Sequence, residues 1–134
     1  MVDRDLLAAK LVDLADRRER ARAHTPADVA ALRSDRDALD IVSFNLMLCV
    51  QICADIASHL IADEGWPAAS TIAQGFTRLQ EHGVLSAGTA EAMRNAVGFR
   101  NVVAHGYSRI DVDMAHRAAP LGSESEFGGR VLAA

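Results

Sequence analysis

The sequence predicts an all-α protein, an antiparallel bundle of four to five helices with a surface suited to dimerisation. Half of the 134 residues are hydrophobic, yet only 4% are aromatic. With Ala and Leu abundant, that composition favours helices packed on small aliphatic side chains over a β-sandwich or barrel. No Gly or Pro interrupts the stretch from Ala38 to Ala62. Elsewhere apolar residues return at the 3.6-residue period of a helix. A chain of this length can bury one core but is too short for two ordinary domains. Residues 1–118 are therefore read as a single helical domain.

Leu7, Leu11 and Leu14 share a face and predict a first helix from about Asp3 to Ala23, with Arg17, Arg18, Glu19 and Arg20 on its solvated end. Thr25-Pro26 reads as an N-cap followed by proline at the first helical position, so a second helix is expected to begin there. From Ala38 to Ala62, Ile41, Val42, Leu46, Cys49, Ile52, Cys53, Ile56 and Leu60 form one stripe. Met47, Leu48, Val50 and Ile61 lie outside it, so this central helix is expected to pack on two sides, one of them a second subunit. Its length would suit a membrane span, but Asp40, Asn45, Gln51, Asp55 and His59 make insertion too costly, and no membrane is expected.

Gly65-Trp66-Pro67 breaks the pattern, with Trp66 expected to plug the bundle end. Ile72, Phe76 and Leu79 then mark a helix that stops at His82-Gly83. Another runs from about Thr89 through Met93, Val97 and Val103 to near Gly106, and a short one spans about Asp111 to Ala118. Residues 119–134, with Pro120, three glycines, two serines and two glutamates, are expected to form a disordered tail.

Fourteen basic residues face eighteen acidic ones, a net charge of −4. No general field draws the protein to nucleic acid, so any RNA contact must be local. Every cation except Lys10 is Arg, whose planar fork suits phosphate or carboxylate. Cys49 and Cys53 read as reduced core residues, and no residue set has the spacing of a metal site. Neither a metal nor a cofactor is expected. The start, Met1-Val2-Asp3-Arg4-Asp5, lacks the basic and apolar regions of a signal peptide, so a cytoplasmic location is expected.

The sharpest local feature is Arg100-Asn101-Val102-Val103-Ala104-His105-Gly106-Tyr107. At about 100° per residue, Arg100 falls on the face of Met93, Val97 and Ala104, a charge within an apolar stripe. An unpaired buried guanidinium costs several kcal/mol, on the order of its effective desolvation penalty, so Arg100 must reach a carboxylate, a carbonyl, a water-filled cleft or a ligand. Asn101 and His105 stack one turn apart beside it. Cleaving RNA without metal requires a group that moves protons near neutral pH and a cation for the phosphoryl charge. Histidine and arginine suit those tasks, with Asn101 orienting a group by hydrogen bonds.

The string from Arg100 to Tyr107 resembles the Arg, four residues, His, any residue, Tyr signature of HepT toxins, members of the HEPN superfamily. Asp35-Arg36-Asp37, Phe44-Asn45-Leu46, the run Cys53 to Ile61 and Gly98-Phe99 resemble the same family, over about residues 3 to 117. The resemblance implies a HEPN-like helical bundle that forms a homodimer, with Arg100, Asn101 and His105 of both protomers lining one cleft. It also implies metal-independent cleavage of an RNA substrate, tRNA or mRNA. Relatives are encoded beside a minimal nucleotidyltransferase antitoxin that attaches AMP to the signature tyrosine, Tyr107 here. The chain departs from the family at Pro120, Gly122 and Gly128-Gly129, where relatives carry a further helix.

Asp55, on the flank of the central helix, is a candidate to pair with Arg100 or orient His105, or to serve as a structural ion-pair partner. Asn45 and His59 fall in the apolar stripe and read as satisfied core residues. The alternative reading, from a different functional class, is a non-catalytic HEPN module that binds nucleotide or a partner protein beside a nucleotidyltransferase. Retention of both Arg100 and His105 favours the enzyme.

Overall fold

A computed structural model of the chain describes residues 3–106 and 110–118, and among these the regular elements are all helices. They run α1 (Arg4–His24), α2 (Val29–Ser34), α3 (Arg36–Glu64), α4 (Ile72–Glu81), α5 (Ala87–His105) and α6 (Val112–Ala118). The expected tail, 119–134, lies outside the described residues, as does Tyr107. The four longer helices form the expected bundle, and α2 and α6 pack together at one end of it.

Capping chemistry sets the boundaries. Asp3 accepts from the Leu6 amide at 3.0 Å to start α1, Asp35 from Ala38 to start α3, Thr71 from Gln74 to start α4 and Ser86 from Thr89 to start α5. The expected start of the second helix is corrected. Thr25 closes α1, its hydroxyl donating to the Ala21 carbonyl at 2.7 Å, and α2 begins four residues later behind Asp28, which accepts from the Ala30 amide. A free carboxylate is the stronger N-cap, and it leaves Pro26 in the connection, where its carbonyl meets His116 Nε2 at 2.8 Å. Gly65 ends α3 in the left-handed region, φ 69°, a conformation that costs glycine little.

α3 is the spine. Lys10 lies against Asp55 and Arg17 against Asn45, so α1 runs antiparallel to it. Leu7, Leu14, Ile56, Leu60, Phe76 and Leu79 are fully buried at the centre of the main core. A second cluster under α2 and α6 gathers Ala21, Leu32, Val42, Leu46, Phe99 and Ala115. α3 is long and apolar enough to cross a membrane, but half of its most apolar window is buried inside the bundle, which accounts for the apolarity without a bilayer.

Asn45 is the satisfied core residue expected, buried, accepting from Arg17 Nη1 at 3.3 Å and donating to the Ile41 carbonyl at 2.8 Å. His59 is not; it is exposed, on the outer arc of α3 that also carries Ile41, Phe44 and Asp55. Trp66 packs against the main core and stacks on His82, ring centroids 4.0 Å apart.

Candidate active site

α5 carries Arg100, Asn101 and His105 over its last two turns and stops at Gly106, whose φ of 65° and amide bond to the Val102 carbonyl close the helix. Met93 and Phe99 anchor the helix in the core, while Asn101 and His105 face solvent. Arg100 is half-buried between the two environments.

The guanidinium is held by two carboxamide oxygens. Nη2 donates to Gln51 Oε1 at 2.8 Å, across to α3, and Nη1 donates to Asn101 Oδ1 at 2.9 Å. Among the described residues Nε is buried without an acceptor, a loss that costs roughly 1–3 kcal/mol. Of the readings open for Asp55, a partner for Arg100, an orienter of His105 or a structural ion-pair partner, the contacts fit the last: it accepts from Gln51 Nε2 at 3.4 Å and lies 3.9 Å from Lys10 Nζ. It reaches Arg100 only through Gln51. Sequence reading had seen Gln51 as nothing more than a polar residue on the central helix. Its spacing of four from Asp55 was the available signal.

Among the described residues no three His, Cys, Asp or Glu side chains converge in a way that could hold a metal ion, and Cys49 and Cys53 are not joined in a disulfide. A groove of about 260 Å³ opens between α1, α3, α5 and α6. Leu46, Val50, Met93, Phe99 and Met114 line it, on the flank of α5 carrying Ala92 and Ala96. Arg100, Asn101 and His105 are not among its lining residues. The polar set sits at the C-terminal end of α5, with Asn101 and His105 exposed and Arg100 half-buried. There it can offer a fixed cation, a carboxamide and an imidazole to a ligand lying across the surface.

Beside the polar set, α3 exposes Ile41 and Phe44, and Leu48 is partly exposed. With Gln51 and Asp55 these residues occupy one arc of roughly 80° at about 100° per residue. An apolar strip thus runs up to the Arg100 contact.

A family model described as ribonuclease HepT-like matches residues 14–119. The mRNA nuclease HepT of Shewanella oneidensis is 25% identical over 87 residues, 65% of either chain. A protein named putative RNase from Archaeoglobus fulgidus is 29% identical over 85 residues, 63% of this chain and 64% of that protein. The matched stretch thus spans just under two thirds of the length of these curated relatives. Among solved structures, a tri-AMPylated HEPN toxin of Shewanella oneidensis in complex with MNT antitoxin superposes with a TM-score of 0.87 over the whole of both chains, at 20% identity. A toxin–antitoxin structure with AMP-PNP superposes at 0.84, covering 98% of this chain and 99% of that one, also at 20% identity. The fold is that of HEPN toxins.

Proposed function

Since the chain belongs to the ribonuclease HepT-like family, we propose that it is the toxin of a toxin–antitoxin pair, a metal-independent endoribonuclease acting in the cytoplasm. The observation that carries this reading is the end of α5, where a held guanidinium lies beside solvent-facing Asn101, with solvent-facing His105 one turn further along the helix. Arg100 binds the non-bridging oxygens of the scissile phosphate, where a fixed cation offsets the negative charge that grows in the transition state. His105 takes the proton from the ribose 2′-hydroxyl, whose oxygen attacks the adjacent phosphorus. The P–O5′ bond breaks and the leaving oxygen is protonated. The products are a 2′,3′-cyclic phosphate and a 5′-hydroxyl. Asn101 orients the cation.

Proton removal and proton delivery call for two groups, and each chain contributes one such histidine. The Ile41, Phe44 and Leu48 strip beside Gln51 supplies the surface on which a second copy can seat, placing two α5 ends across one cleft. Homologues crystallised with an MNT or MntA antitoxin support a nucleotidyltransferase as this chain's partner, with Tyr107 as the residue that receives AMP.

The purified protein is expected to cleave RNA. His105→Ala is expected to abolish cleavage and growth arrest while leaving the fold intact, because an exposed helix-end side chain contributes only about 0.5 kcal/mol or less. Growth arrest by a folded His105→Ala protein would overturn the role given to His105. A parent protein that binds the antitoxin but cuts no RNA would favour the non-catalytic HEPN module.

A further inference from the structure

Arg100 differs from three surface arginines of this chain in the chemistry of its partners. Arg22, Arg33 and Arg78 each meet a carboxylate, on Glu19, Asp113 and Glu81. Among the described residues Arg100 meets only neutral oxygens, on Gln51 and Asn101. Arg17 and Arg94 also meet side-chain oxygens of Asn45, Gln80 and Thr77, but those contacts join helices away from the exposed end of α5.

Resting on the ribonuclease reading above, we propose that Gln51 is a positioning residue that fixes the Arg100 guanidinium while leaving its charge uncompensated for the RNA phosphate. A guanidinium can only donate and an ionised carboxylate can only accept. Gln51 lies between one of each, so a single amide orientation serves both, with Oε1 toward Arg100 and Nε2 toward Asp55. Asp55 is in turn kept on the far side of Gln51 by Lys10, 3.9 Å away. The order along the surface is cation, anion, neutral amide, cation. Had Asp55 met Arg100 directly, the pair would have been an internal salt bridge competing with phosphate for the same fork. A neutral spacer gives Arg100 a fixed direction without that competition. Asn101 adds a second neutral tether on Nη1, and one N–H on each of Nη1 and Nη2 remains for a phosphate oxygen.

Two variants of the full-length protein test the idea. Gln51→Met keeps the shape and removes the acceptor. It is expected to lower kcat on the order of a hundredfold, the scale of a misplacement of about 1 Å, with KM changed less than about threefold because the cation is still present. Gln51→Glu keeps the acceptor and adds the charge. It is expected to raise KM about tenfold or more as well as lower kcat, because the cation is then offset before substrate arrives. A readout independent of RNA is the nitrogen NMR spectrum of protein labelled on arginine. Held Nη1 and Nη2 should give Arg100 separate signals in the parent and in Gln51→Glu, and averaged ones in Gln51→Met. Parent-like rates in both variants, or a Gln51→Glu protein as active as the parent, would overturn the proposal. Failure of the parent itself to cleave RNA would overturn the ribonuclease reading and this role with it. That outcome is read before any Gln51 variant is made, so it cannot be confused with failure of the positioning role.

Discussion

Arg100 was legible in the sequence because a charge in an apolar stripe demands a partner, and the demand can be read from periodicity alone. The partner could not be read. Gln51 lies 49 positions away, and its meeting with Arg100 depends on how α5 slides along α3. For the same reason the sequence left Asp55 open between a partner of Arg100 and a structural ion-pair partner, and the fold decides for the second, with Lys10 and Gln51 as its neighbours. At this scale the regulatory prediction concerns Tyr107, one residue past the glycine that ends α5. An AMP there would add a phosphodiester anion seven residues along the chain from Arg100, able to compete for the guanidinium proposed to bind RNA phosphate. Tyr107→Phe is expected to stay toxic and to escape neutralisation by the nucleotidyltransferase, and its peptide should show no mass gain of one AMP. Neutralisation equal to the parent's would rule this position out.

The helices were read nearly in full, since period and caps are local properties, and α3 exceeds its expected span by two residues at each end. The start of α2 falls later than Thr25-Pro26 indicates, because only the fold shows that the Thr25 hydroxyl is already spent on closing α1. His59 was misassigned because the apolar stripe of α3 covers much of its circumference and a wheel alone does not say which arc is covered. α3 also defines what stability should depend on. Leu60 is fully buried at its centre, so Leu60→Ala is expected to cost about 2–5 kcal/mol in urea unfolding. A change under 1 kcal/mol would mean the core is not packed as described. Phe44, 49% exposed on the outer arc, should behave oppositely. Phe44→Glu is expected to leave each chain folded but to yield monomers in sedimentation, with cleavage lost although Arg100 and His105 are untouched. An active monomer would refute the shared cleft.

For the whole molecule, the net charge of −4 means that the proposed function requires a few arginines to recognise RNA against an unfavourable overall field. Cleavage is expected to persist in excess EDTA, since no metal-binding cluster forms among the described residues. Restoration of a chelated, inactive sample by one divalent ion would overturn that. The bundle also carries its own optical probe. Trp66 is the sole tryptophan in the chain, lying flat against the His82 imidazole at an interplanar angle of 5°. The stack joins the turn after α3 to the end of α4, and neither ring takes part in any contact described for Arg100. Indole emission therefore reports unfolding of every variant discussed here without any label, so a lost reaction can be told from a lost fold in the same cuvette.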